Sequence, residues 1–264
     1  MTMRTDISAL RQHIAKQERI SPHAWPIAPL GLVELDQTLP DRGLPTGALY
    51  EIMPDGHADF GAALGVNLAM LARVQHARPG AIVWVQPHRH AHSQGTLYPT
   101  ALSTFGIDPD GLLHLSVPKS QAMLWALEEA LGEKSVAAVV GILPENDRTY
   151  DFTASRRLLM RASRHGATAF ILASQPAFAM ATAADMRWSV ASAASLPAPR
   201  AGQFLPGMGA PRWQLHLSKS RKGATGRWLV DWNHETLSFR LAAPLADRTP
   251  LRQIGHAARQ SAAA

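Results

Sequence analysis

The stretch Gly43-Leu-Pro-Thr-Gly-Ala-Leu-Tyr-Glu-Ile-Met-Pro-Asp-Gly-His-Ala-Asp-Phe-Gly-Ala-Ala-Leu64 decides the fold. Gly-Leu-Pro-Thr-Gly at 43–47 is turn chemistry, and Ala48 to Ile52 reads as a strand. A glycine-containing loop follows. Asp59 is then expected to cap a helix, in which Leu64, Leu68 and Leu71 recur at helical spacing until Pro79-Gly80 ends it. The unit is strand, loop, helix.

The same grammar continues downstream. Ala81-Ile-Val-Trp-Val85, Val136 to Leu143 and Thr168 to Ala173 are continuous apolar runs bounded by turn residues, as strands covered on both faces are. Tyr98 to Phe105 reads as a short helix and Leu112 to Leu115 as a strand. Ser120 to Leu131 and Arg156 to His165 are helices, closed by Gly132 and Gly166. Beyond Ser174 small residues dominate 177–198, and the segment reads as irregular. Trp213 to Leu217, Trp228 to Trp232 and Leu237 to Leu241 alternate apolar and polar residues, which predicts two antiparallel hairpins with one face exposed. Their turns are Lys219 to Gly223 and Asn233 to Thr236. The expected fold is α/β, a three-layer sandwich around a mostly parallel sheet with antiparallel C-terminal hairpins.

Upstream, residues 4–19 predict a polar helix with one weak apolar stripe at Ile7, Leu10 and Ile14. Pro22, Pro26, Pro29 and Gly31 mark a linker. The domain reading is therefore 1–31 helix and linker, 32–241 core, and 242–264 a basic, partly disordered tail.

With 264 residues and 46% hydrophobic content, one full core can be buried. No secretory signal and no run of about 18 apolar residues is visible, so no membrane span is expected. There are no cysteines, which excludes disulfides and thiolate chemistry and suits a cytoplasmic location. The net charge of +6 is uneven. Residues 1–199 hold 16 Lys+Arg against 17 Asp+Glu, whereas residues 200–264 hold ten against three. The positive charge thus gathers in the last quarter, where it can serve an acidic protein segment, nucleic acid or solubility.

These residues carry a resemblance. Gly43 to Ile52, ahead of a loop and helix, resembles the entry into the phosphate loop of the RecA recombinase family. Leu97 to Leu115 and the strand ending in Ser174-Gln175 resemble later RecA segments in the same order, so the likeness covers about Leu32 to Leu241. Within that superfamily the Leu-Pro-x-Gly entry, the Gly-Ile-Asp-Pro segment and Trp213 to Arg221 are similar to the ImuA family, RecA- and SulA-like accessory proteins of damage-induced mutagenesis. The resemblance implies a role in SOS-induced translesion synthesis beside ImuB, a Y-family polymerase relative, with RecA and an error-prone replicative polymerase as further partners.

A working phosphate loop reads Gly-x-x-x-x-Gly-Lys-Ser/Thr, because backbone N–H groups cradle phosphate, lysine neutralises it and the hydroxyl holds magnesium. Here Pro54, Gly56 and Gly61 keep a remnant of that loop, but Ala62 and Ala63 stand where the lysine and hydroxyl belong. Asp55 and Asp59 would repel phosphate. The resemblance further implies that Gly141 replaces the magnesium-binding aspartate and Gln86 the catalytic glutamate. The expectation is a non-catalytic pseudo-ATPase, with no catalytic residue, no cofactor and no metal.

His88-Arg-His-Ala-His92 would put alternate imidazoles on one face of an extended strand and so offer zinc ligands; a polar loop is the plainer reading, without an acidic second shell nearby. Lys219, Arg221, Lys222, Arg227 and Trp213 are the candidate partner or DNA contacts. In RecA-like proteins basic residues at this strand end reach a neighbouring subunit's nucleotide; a solvated turn is the alternative for the cations, and core packing for Trp213, Trp228 and Trp232. Two functions stay open, an adaptor that docks a polymerase relative and a protein that binds DNA or modulates RecA filaments.

Overall fold

A computed structural model describes residues 25–176, 181–196 and 209–242. The chain order is β1 (Ile27–Ala28), α1 (Val33–Asp36), β2 (Leu44–Pro45), β3 (Leu49–Pro54), α2 (Phe60–Ala77), β4 (Ala81–Pro87), α3 (His88–Gln94), α4 (Pro99–Ser103) and β5 (Leu112–Val117). Then come α5 (Ser120–Ala130), β6 (Val136–Leu143), α6 (Phe152–His165), β7 (Thr168–Ala173), β8 (Met186–Ser192), β9 (Arg212–Ser220), β10 (Gly226–Asn233) and β11 (Ser238–Leu241).

Nine strands form one sheet in the order β11-β10-β9-β8-β3-β7-β6-β4-β5. From β8 through β5 all pairings are parallel, and β9, β10 and β11 add antiparallel strands on the β8 side. The apolar runs of β6 and β7 are buried along their whole length because helices cover both faces. On one face Tyr50, Ile52, Val140, Ile142, Phe170 and Leu172 pack with α2 residues such as Val66 and Met70. On the other, Val139, Leu143, Ala169 and Ile171 pack with Met123 and Leu127 of α5 and Leu158 of α6. The expected three-layer α/β architecture is the one observed.

Three local expectations differ. Residues 25–31, read as a linker, belong to the core: β1 pairs with β2, Ala28 and Leu30 are buried, and the Leu30 carbonyl accepts the Phe239 N–H at 3.1 Å. Their prolines favour extended backbone, which a short strand uses as readily as a linker does. The irregular reading of 177–198 fails at β8, where buried Met186, Trp188 and Val190 alternate with partly exposed Arg187, Ser189 and Ala191 on the other face. The segment His88–Gln94 is helical, not extended. The helix expected at 4–19 and the tail expected from 242, apart from Ala242, lie outside the described residues. No helix among the described residues is long and apolar enough to cross a membrane.

Candidate functional site

The loop between β3 and α2 is fastened by its own acids. Asp55 donates its N–H to the Val190 carbonyl at 2.8 Å, and its carboxylate accepts the Ser189 hydroxyl at 2.7 Å. Asp59 sits at the N-cap position of α2, but its side chain does not cap that helix as the sequence suggested. It turns back to accept the Gly56 N–H at 3.0 Å and reaches across to the Ser192 N–H and hydroxyl at 2.8 and 2.6 Å. Those two serine contacts are the main reason its carboxyl lies below the usual carboxylate range. A helix N-terminus with free N–H groups attracts anions. Here the carboxylate is part of the chain. Pro54, Ala62 and Ala63 are buried, while Gly61 is exposed with open space around it.

Gly141 requires a correction. It lies inside β6, and a Cβ there would come within 2.6 Å of Leu127 Cδ1 and 3.3 Å of Met123 Sδ. Its open side faces α5, in the layer opposite α2, because side chains alternate along a strand. A carboxylate at 141 would therefore point away from the loop, and the glycine is explained by close helix packing. Gln86, next to last in β4, is buried, with its Oε1 accepting the Trp84 indole N–H and its amide donating to the Gly95 carbonyl, both at 3.3 Å.

The histidines are dispersed by the helix that carries them. At about 100° per residue, i and i+2 fall on opposite sides, so His90 is buried while His88 and His92 are exposed. His90 Nδ1 lies 3.0 Å from the Ser174 hydroxyl, and its ring meets Phe60 edge-on at 5.3 Å. Burial pushes its imidazole below the usual range, toward the neutral form. His90 and Gln94 stand between two cavities. One, of about 280 Å³, is lined by Phe60, Leu64, Trp84, Tyr98 and Leu102. The other, of about 400 Å³, is lined by Arg89, Ser93, Glu145, Asn146 and Ser174. Both open at the C-terminal ends of parallel strands, where α/β sheets take ligands. Among the described residues no group of three or more His, Asp or Glu could hold a metal ion.

The basic turn after β9 is less open than its sequence suggests. Glu51, Arg187 and Lys219 face one another across β3, β8 and β9 in register. The Glu51 carboxylate accepts Arg187 Nε and the Tyr150 hydroxyl, each at 2.7 Å. Lys219 Nζ donates to the Thr182 carbonyl at 2.7 Å, and desolvation pushes its amine below the usual lysine range. Arg221 Nη1 approaches Asp185 Oδ1 at 3.9 Å, and that carboxylate also accepts the Leu49 N–H at 3.1 Å. Burial raises the Asp185 carboxyl above its ordinary range despite three nearby cations. Lys222 and Arg227 are exposed. Trp213 is not a contact surface: at 5% exposure it packs in the core, edge-on to Phe239 and against Gly65.

Sequence reasoning missed Glu51, Tyr150, Asp185 and Arg187. The signal for the first was present, since Glu51 is a lone charge inside the apolar strand Leu49-Tyr-Glu-Ile52, and a buried carboxylate must find partners.

No protein-family model matches the chain. It is similar to Protein ImuA of Caulobacter vibrioides strain NA1000 / CB15N, at 29% identity over 236 residues that span 84% of this chain and 91% of that protein. The same values hold for Protein ImuA of Caulobacter vibrioides strain ATCC 19089 / CIP 103742 / CB 15. That likeness, over 84% of the chain, makes it ImuA-like along most of its length.

Proposed function

We propose that the protein is a non-catalytic accessory factor of SOS-induced, error-prone translesion synthesis that works by binding an ImuB-like, Y-family-related polymerase subunit. The observation that carries the non-catalytic part is the loop closed by Asp59. Its carboxylate accepts the Gly56 N–H and is tied to Ser192, while Ala62 and Ala63 stand in the places of lysine and hydroxyl. A phosphate entering there meets fixed negative charge without a cation, and charge-assisted contacts are the strong ones in such sites. The similarity to ImuA supports the mutagenesis setting, and the resemblance to RecA supplies the idea of a recombinase scaffold without its chemistry.

A second reading, direct contact with DNA, is favoured by exposed Lys222 and Arg227 at the β9–β10 hairpin. Two measurements separate the readings. Titration calorimetry with millimolar magnesium-ATP is expected to give no binding heat, and saturable heat overturns the pseudo-ATPase assignment. Capture of the purified polymerase subunit by the full chain is expected, with weak DNA binding. No capture, together with DNA affinity that falls steeply with salt, selects the second reading.

A further inference from the structure

The helices on the sheet face opposite α2 carry apolar side chains that no described part of the chain covers. Trp125 on α5 is 67% exposed, and Phe152 and Met160 on α6 are 50% and 61% exposed. Single exposed apolar residues are ordinary; three on two adjoining helices are not. The helices are fastened together, because Arg157 Nε donates to Glu128 Oε1 and Arg161 Nη1 to the Glu128 carbonyl, both at 2.9 Å. Residues three apart on a helix are neighbours, so Trp125 borders that seam through Glu128, and Met160 borders it through Arg157. Phe152, Arg156, Met160 and Arg164 recur every four residues and form one stripe along α6.

The charge on this face is one-sided. Helix α6 contains four arginines and no acid. Arg157 and Arg161 are engaged by Glu128 and Glu129 of α5, and the Asp151 carboxylate is used to cap the Ala154 N–H. Arg156 and Arg164 are exposed, with no acidic partner among the described residues. Trp, Phe, Met and Arg are the side chains that protein interfaces concentrate. Phosphates would satisfy the arginines but give the three apolar groups nothing to bury against, which favours a protein over a nucleic acid.

We propose that the α5–α6 face docks an acidic amphipathic segment of a partner protein, with apolar side chains seated on Trp125, Phe152 and Met160 and carboxylates on Arg156 and Arg164. The inference stands apart from the adaptor reading, since a DNA-binding protein can carry the same docking face. It is tested with three labelled synthetic peptides and the full-length chain, read by fluorescence anisotropy. The first peptide has leucines at i, i+3, i+4 and i+7 with acids elsewhere; the second carries lysine in place of each acid; the third carries serine in place of each leucine. The first binds saturably, and the other two bind roughly tenfold more weakly or worse. Trp125→Ser, or Arg156→Glu with Arg164→Glu, weakens the first peptide by about tenfold while leaving the thermal melt unchanged, and the double charge reversal improves the second. Equal binding of all three peptides, or variants that bind like the parent, overturns the proposal. So does self-association that Trp125→Ser abolishes, which would make the occupant a second copy. Single-stranded DNA binding that the arginine reversals alone abolish would make it nucleic acid.

Discussion

Two basic regions of this molecule reverse the ranking that a count along the chain gives them. The end of β9 and the turn after it gather Lys219, Arg221 and Lys222 within four positions, yet Lys219 donates to Thr182 and Arg221 leans on Asp185. The arginines of α6 sit in a segment whose surroundings look neutral, yet Arg156 and Arg164 project from the helix with no acidic partner among the described residues. Charge density in the sequence and charge available at the surface are different quantities. The difference is set by which acids the fold brings beneath each cation.

The comparison breaks most visibly at Glu51. Replacing it with glutamine removes the ionised partner of half-buried Arg187, and chemical denaturation is expected to lose about 3–5 kcal/mol, the usual result of orphaning one member of a buried pair. A loss under about 0.5 kcal/mol, as for an ordinary surface change, would mean that the cluster under the turn holds nothing. Lys219→Met keeps the apolar stem and deletes the bond to Thr182, for an expected loss of about 1 kcal/mol. Lys222→Ala in the same assay should move stability by no more than about 0.5 kcal/mol. Equal effects at 219 and 222 would restore the picture of one open basic patch.

The pH dependence sharpens the contrast. Lys219 is depressed in the folded chain by desolvation. Between that lowered value and the ordinary lysine value the unfolded chain binds more protons, so stability should rise as pH climbs through this window. The Lys219→Met variant should lack that rise, and denaturation measured across alkaline pH checks it; an unchanged slope shows that Lys219 is not the group responsible. A modest effect is expected on α6 itself. Arg157→Ala removes a half-exposed ion pair with Glu128 and should destabilise by about 0.2–1 kcal/mol.

How much could be read beforehand follows the same physics. The strands Val136–Leu143 and Thr168–Ala173 were legible to the residue, because burial on both faces writes a continuous apolar run between turn residues. Strand β8 was hidden although Met186, Trp188 and Val190 alternate as a half-covered strand should, since the small residues around them dilute the pattern. The histidines of 88–92 could be counted but not placed, as their spacing means one thing on a strand and the opposite on a helix. Ala62 and Ala63, at the positions where a phosphate loop would carry lysine and a hydroxyl, could be read from the sequence alone. That Asp59 binds Gly56 and Ser192 was not, because Ser192 is contributed by the strand the sequence concealed. At Gly141 the residue was visible, but the face it presents depends on which helix covers it.

Arg212 and Asp231 are held across β9 and β10 by two hydrogen bonds of 2.7 and 3.0 Å, on the face opposite Trp213 and Val230. A slip of one residue in β9 would carry the guanidinium into the apolar layer and Trp213 onto the opposite face. The pair therefore favours the observed register over its neighbours. Registers one residue away, which the repeating Trp and Leu of these hairpins would otherwise tolerate, must set these charges against apolar side chains.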